Sequence, residues 1–381
     1  MRKRIHILYV VNGLGIGGAE KKLLDLVRHL DRRRYKIFVC SIGQSGPLEV
    51  DFKALGVEVF VFSKRNRFDM MLIYRVARLI RNCKIDLIQT TLWLADIVGA
   101  VASLLTGGGV PVISWETVTH GENDILRTQY RHVLFYKFWM RFVYKIVAVS
   151  NEIRDSLIVR RGIPASRIQV IHYGVDLKRF GRVSESEIRR DMFRFPRNHI
   201  VIGTVARLES YKGVVFMQKA AIELARQYAN LVFHFVGDGS LRSKLEGEVR
   251  QAGMSDHIFY LGSRDDVHEI MRTFDIFVLP SLTEGLPNVI LEAMASAKPV
   301  VATKVGGIPE AVIPEETGIL IPPGNVNALT AAISRLINNP SLSRRMGEAG
   351  RKRAERYFSV DQEVASFEEL YSRASRKRKI L

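Results

Sequence analysis

Two carboxylates, Glu284 and Glu292, stand with seven residues between them in the stretch Pro280-Ser281-Leu282-Thr283-Glu284-Gly285-Leu286-Pro287-Asn288-Val289-Ile290-Leu291-Glu292-Ala293-Met294-Ala295. The first lies in a turn marked by Gly285 and Pro287, the second in the helix expected to follow. Pro287 suits the first helical position, where a missing N–H costs nothing. The N–H groups of Asn288, Val289 and Ile290 would then point free out of the helix start, ready for an anion. A loop carboxylate, a helix start and a second carboxylate can hold a molecule with hydroxyls at both ends and phosphate between. A nucleotide sugar is such a molecule. Apolar Ile276-Phe277-Val278-Leu279 reads as a buried strand ending at Pro280. Glu284 therefore falls just past the carboxyl end of a parallel strand, where open α/β sheets bind ligands.

Three further loops follow expected strands. Val205-Ala206-Arg207-Leu208-Glu209-Ser210-Tyr211-Lys212-Gly213 carries Arg207 and Lys212, and a guanidinium fork with an ammonium point charge can neutralise a diphosphate. No Asp-x-Asp pair occurs anywhere in the chain, so an acidic metal clamp is not expected and the two cations would take the place of Mg²⁺. Val236-Gly237-Asp238-Gly239 places two glycines where backbone can contact a donor. Gly13-Leu14-Gly15-Ile16-Gly17-Gly18-Ala19-Glu20 would let N–H groups approach a phosphate or sugar. Its spacing is poor for a dinucleotide fingerprint, and a tight strand-to-helix turn is the alternative.

The strands expected to position these loops are Ile5–Val11, Lys36–Ser41, Glu58–Phe62, Leu87–Gln89, Val112–Trp115, Lys145–Val149 and Ile168–His172. A polar stretch, Lys178 to Asn198, interrupts the pattern as an interdomain linker. A second series runs from Ile200 through Val232–Val236, Ile258–Leu261, Ile276–Leu279, Val300–Thr303 and Ile319–Ile321. Short β runs alternating with amphipathic helices imply parallel α/β architecture. The two halves share this pattern without visible repetition of sequence.

The segment from Pro280 to Ala295, continued by Lys298-Pro299-Val300-Val301-Ala302-Thr303 and Val305-Gly306-Gly307-Ile308-Pro309-Glu310, resembles the signature of retaining glycosyltransferases of family four. The resemblance extends over nearly the whole chain. It implies the GT-B fold, with two Rossmann-like domains facing a cleft. An acceptor-side domain would span 1–177, a donor-binding domain 178–359, and a last helix from Val360 would carry 360–381 back to the first. It places Gly17 and Gly18 on the acceptor and donor phosphate side, the nucleobase near Arg264, ribose on Glu292 and the donor sugar near Glu284. It also implies front-face attack with retention, the departing phosphate helping to deprotonate the acceptor. A catalytic His is often found after a strand of the first domain. His120 comes about three residues late for it, and Glu116 or Thr117 are the alternatives.

At 381 residues two domains are expected, and 47% hydrophobic residues suffice for their cores. Cys40 and Cys83 suit a reducing compartment and form no metal-ligand cluster. The run after Met1-Arg2-Lys3-Arg4 is too short and too soon charged for a signal peptide and reads as the first strand. Leu92 to Leu105 falls short of a membrane span. Of the net charge of +18, +14 falls in residues 1–180, where 29 Lys and Arg face 15 Asp and Glu. Basic residues interleave with aromatics from Arg127 to Val147, and Lys64-Arg65-Asn66-Arg67-Phe68 and Arg376-Lys377-Arg378-Lys379 add charge. An anionic membrane surface is the expected partner, on the cytoplasmic side.

The expectation is a metal-independent, retaining transferase acting on a nucleotide sugar, a UDP-sugar first among donors, and on a glycan or lipid-linked acceptor. A nucleotide-sugar epimerase or a hydrolase on the same fold is the alternative. A basic nucleic-acid binder would explain the charge, yet it lacks a recognised motif and leaves the loop residues unused.

Overall fold

A computed structural model describes residues 4–63, 69–117, 138–181 and 199–377. His120, residues 64–68, most of the basic and aromatic stretch 127–147, residues 182–198 of the expected linker and the last four residues lie outside them. Contacts divide the chain into two units, Met1–Tyr173 with Val360–Leu381, and Gly174–Ser359.

The first unit holds a seven-stranded sheet in the order β3-β2-β1-β4-β5-β6-β7. Its strands are β1 Ile5–Val11, β2 Tyr35–Ser41, β3 Glu58–Val61, β4 Leu87–Thr91, β5 Val112–Glu116, β6 Lys145–Ala148 and β7 Ile168–Val170. The second unit holds a six-stranded sheet in the order β10-β9-β8-β11-β12-β13. These are β8 Ile200–Val205, β9 Leu231–Val236, β10 Ile258–Gly262, β11 Ile276–Leu279, β12 Val300–Thr303 and β13 Gly318–Ile321. Every strand pairing is parallel. Strands covered by helices on both faces are buried on both, and β4, β5, β9, β11 and β12 are buried at every position, with polar Gln89, Thr90, Thr91, Ser114 and Glu116 among the residues of β4 and β5.

Chain order reverses between β1 and β4 in one sheet and between β8 and β11 in the other. Ligands of open α/β sheets bind at such points, outside the strand ends. The same device pins the start of each central pair. Asp86 donates its N–H to the His6 carbonyl at 2.8 Å while its Oδ2 accepts from the His6 N–H at 3.0 Å. Asp275 repeats both bonds with Val201, at 2.7 and 2.8 Å.

Helices α1 Gly18–His29, α2 Leu48–Ala54, α3 Met70–Asn82, α4 Trp93–Leu105 and α5 Asn151–Arg161 serve the first sheet. Helices α6 Val214–Gln227, α7 Arg242–Gln251, α8 Val267–Thr273, α9 Asn288–Ala295, α10 Ile308–Ala311, α11 Val326–Ile337 and α12 Pro340–Tyr357 serve the second. The last helix, α13 Val360–Lys377, belongs to the first unit. It sinks Phe367 against Trp115, with ring centroids 5.1 Å apart. Its Tyr371 hydroxyl lies 3.0 Å from that of Tyr9 and donates to Gln89 Oε1 at 2.5 Å. Each such fully buried aromatic contributes about 2–3 kcal/mol of transfer free energy. No helix among the described residues is long and apolar enough to cross a membrane.

Candidate active site

In the second unit the loops after β8 and β11 interlock backbone to backbone. The loop after β8 closes with a 3₁₀ turn, Ser210–Lys212, and Gly213 at φ +66°. A Cβ on Gly213 would lie 1.9 Å from the Pro280 carbonyl oxygen, so only glycine allows this approach. The Leu282 N–H donates to the Tyr211 carbonyl at 2.8 Å.

That packing brings Lys212 to Glu284 across 72 positions of sequence. Lys212 Nζ donates to Glu284 Oε1 at 2.6 Å, and Ser281 Oγ donates to the same oxygen at 2.7 Å. Ser281 is itself held, its carbonyl accepting from Thr303 Oγ1 at 2.6 Å. The backbone of Glu284 is held as well. Gly306, at φ +53°, passes so close that a Cβ there would meet the Glu284 carbonyl oxygen at 1.9 Å. The Gly307 N–H donates to the Gly285 carbonyl at 2.5 Å. From α12, Arg353 donates to the carbonyls of Glu310 and Ala311, both at 2.8 Å, and anchors the segment that carries those glycines.

Arg207 is exposed, its Cζ 5.4 Å from the centre of the Tyr211 ring. Lys212 Nζ lies 5.5 Å from the same centre. Lys212 and Glu284 therefore meet at the switch point of the second sheet, and Arg207 stands against the same Tyr211 ring as Lys212. Glu292 is half-buried on α9, a little over one turn from its start. Asn288 shares that helix start, its Oδ1 buried and without a hydrogen-bond partner among the described residues.

The helix start differs from expectation in two details. Pro287 is the cap, at ψ 120°, and Asn288 is the first helical residue. The Ile290 N–H is not free: it donates to the Pro287 carbonyl at 3.1 Å, because the first turn tightens to an i→i−3 bond. Among the first three N–H groups, those of Asn288 and Val289 are left for a ligand.

Gly237 and Gly239 also differ. The Gly237 N–H donates to the Gly262 carbonyl at 2.8 Å, and the Gly239 N–H donates to Oδ1 of the neighbouring, exposed Asp238 at 2.8 Å. Gly237, at φ +130°, lies where a Cβ would stand 2.0 Å from the Ala206 carbonyl oxygen. These glycines let the β8 and β9 loops touch. Arg264 is exposed and forks onto Asp266, at 2.8 and 2.5 Å.

In the first unit Gly17 caps α1 and Gly18 opens it, and nothing would crowd a side chain at Gly18. Glu116 ends β5 in the interior, 3.6 Å from Arg161. Asp96, beside it, accepts from Thr90 Oγ1 at 2.5 Å. Burial, reinforced by Glu116, pushes the Asp96 carboxyl far above the ordinary carboxylate range. Thr117 is buried too. Among the described residues no group of three or more His, Cys, Asp or Glu could hold a metal ion.

Ser281, Tyr211 and Arg353 were not singled out from sequence. Ser281 and Tyr211 lie inside the motifs read there, but their roles depend on which loops the strand order makes neighbours.

Residues 16–179 match the family model described as Glycosyltransferase Family 4, and residues 185–353 the model described as Glycosyl transferases group 1. The chain is 30% identical over 249 residues to the lipopolysaccharide core biosynthesis mannosyltransferase LpcC of Rhizobium leguminosarum bv. viciae, covering 64% of this chain and 68% of that one. It is 26% identical over 370 residues to the UDP-Gal:alpha-D-GlcNAc-diphosphoundecaprenol alpha-1,3-galactosyltransferase of Escherichia coli, covering 93% and 94%. Among solved structures, Anabaena Alr3699/HepE in complex with UDP-glucose superposes with a TM-score of 0.85 at 25% identity, over 97% of this chain and 100% of that one. This chain belongs to the group 1 glycosyltransferases of the GT-B fold.

Proposed function

We propose that the protein transfers a sugar, with retention and without a metal ion, from a UDP-sugar to a hydroxyl of a glycan or lipid-linked acceptor in polysaccharide or glycolipid biosynthesis. The observation that carries this is the contact of Lys212 with Glu284 at the switch point of the second sheet, with Arg207 against the Tyr211 ring that Lys212 also touches. The acceptor oxygen bonds to C1 of the donor sugar on the face the phosphate leaves, as the bond from C1 to the phosphate oxygen breaks. The acceptor proton passes to that departing oxygen. Arg207 and Lys212 offset the charge growing on the diphosphate, the part a metal plays elsewhere. The N–H groups of Asn288 and Val289 add the positive end of α9. Glu284 accepts from a hydroxyl of the donor sugar and Glu292 from the ribose.

Uridine is favoured as the base by the UDP-glucose held by Anabaena HepE and the UDP-Gal in the name of the E. coli relative. That name also supplies a lipid diphosphate acceptor. A place on the cytoplasmic face of the membrane is supported by the charge of the first 180 residues and by exposed Phe138 and Phe142 beside exposed Arg141.

The test is a thermal-shift panel of UDP-, GDP- and ADP-sugars, followed by turnover in EDTA and NMR of the product anomer. The expected result is a shift with a UDP-sugar, turnover that survives chelation, and an unchanged anomeric configuration. A panel without any shift would sink the donor assignment, and an inverted product the mechanism. Flotation with anionic liposomes at low salt tests the location, and protein left in the pellet removes it.

A further inference from the structure

Tyr211 joins the two loops of the site and has no part in the reaction above. Its carbonyl ties the β8 loop to the β11 loop. Its ring lies within 6 Å of two cations, Arg207 at 5.4 Å and Lys212 at 5.5 Å. Its hydroxyl oxygen is buried and has no hydrogen-bond partner among the described residues.

Each fact has a physical consequence. Two like charges at one site repel, and an aromatic face with its negative quadrupole offsets part of that repulsion. The ring therefore attracts both Arg207 and Lys212 before any anion arrives. A buried hydroxyl without a partner is costly, and such groups in a folded protein call for an explanation. A bound ligand oxygen supplies one. Burial raises the phenol above its ordinary value, so the hydroxyl keeps its proton and remains a donor.

We propose that Tyr211 is a binding and positioning residue for the donor diphosphate: its ring pre-sets the Arg207 and Lys212 pair, and its hydroxyl donates to a ligand oxygen between them. The inference rests on the donor reading above and deepens it. It separates two contributions of one side chain. Tyr211→Phe removes the hydroxyl and keeps the ring face. Tyr211→Leu removes both. Tyr211→Trp restores a ring face.

The experiment is calorimetric titration of the full chain with UDP and with uridine, which lacks the phosphates. Tyr211→Phe is expected to weaken UDP by about three- to tenfold and to leave uridine unchanged. Tyr211→Leu is expected to weaken UDP by about thirtyfold in all, again sparing uridine, and Tyr211→Trp to recover the part due to the ring. A role in packing alone would lower both ligands together, and that result overturns the inference. Unchanged UDP affinity in the Phe and Leu variants overturns it as well, while the donor reading stands. A wild-type protein that binds neither ligand removes the donor reading and the inference with it. If the Leu variant melts early, the Phe variant, which keeps the packed ring, decides alone.

Discussion

Among the described residues each unit carries an enclosed lysine–glutamate pair, and the two pairs have nearly the same length. Lys22 Nζ meets Glu363 Oε2 at 2.7 Å, and Lys212 Nζ meets Glu284 Oε1 at 2.6 Å. Their surroundings differ. The side chains of Lys22 and Glu363 are 3% and 1% exposed, and the pair clamps α1 to α13, with Lys22 also 5.5 Å from the centre of the Tyr173 ring. Those of Lys212 and Glu284 are 19% and 8% exposed, and both lie on strand-end loops at a switch point. Distance alone therefore does not tell a clamp from a site. Access from outside, and what else each charge can reach, separates them.

Cutting each pair on one side is the sharpest way to break the comparison. Lys22→Ala leaves Glu363 charged in the interior, and losing one partner of a buried pair costs about 3–5 kcal/mol. Urea unfolding should show that loss. Replacing both partners by apolar residues, Lys22→Met with Glu363→Leu, should recover most of it. Lys212→Ala leaves Glu284 with the Ser281 hydroxyl and with some access to water, so the fold should hold. Turnover should instead fall by about 10²–10³-fold, as for removal of one preorganised charge-stabilising donor. If Lys212→Ala unfolds the protein as readily as Lys22→Ala, both pairs are clamps and the distinction is lost.

The interiors differ in the direction of their response to pH. His234, buried in β9 between the rings of Phe259 and Phe274, has its pKa lowered by burial from 6.5 to about 4. The unfolded chain binds that proton first, so this stability is whole above pH 6.5 and is lost as pH falls toward about 4. The loss amounts to about 3 kcal/mol. Asp96 in the first unit is shifted the other way, up to about 8, by burial and by Glu116. The unfolded chain gives up that proton first, so stability is greatest at low pH and declines as pH rises toward about 8. Urea midpoints from pH 4 to 9 should show His234→Phe flattening the acid limb and Asp96→Asn the alkaline limb. Curves parallel to wild type would remove both assignments.

The sheets were easier to read than the site. Most strands are predominantly apolar runs, and Ile5–Val11, Ile276–Leu279 and Val300–Thr303 have the bounds expected from sequence. The kinship of the halves was hidden because it lies in strand order and in the bonds of Asp86 and Asp275, single residues without local pattern. Glu284, Arg207 and Lys212 were legible as chemistry, yet their meeting needs the neighbouring positions of β8 and β11 and the contact that Gly213 permits. The glycines of the β9 loop carry a contact that the sequence hides for the same reason. A glycine that admits another loop looks, in one sequence, like a glycine that admits a ligand.

Arg264 supplies the smallest effect. Its guanidinium forks onto Asp266 at the surface, two residues away, and the pair sits on the loop after β10. Exposed pairs of this kind contribute about 0–1 kcal/mol, because water and salt screen the attraction and ordering two side chains opposes it. Arg264→Ala should therefore move the urea midpoint by less than one such increment. With its Nε and one Nη2 donor on Asp266, which orients the fork toward that carboxylate, it should change UDP affinity by less than about threefold. Lys212 also has a carboxylate partner, so the two variants differ in which site their partner serves. A tenfold loss of UDP affinity in Arg264→Ala, measured beside an unchanged Asp266→Asn, would show that the guanidinium leaves Asp266 for the ligand. The comparison would then need a third kind of pair, one that opens when the donor binds.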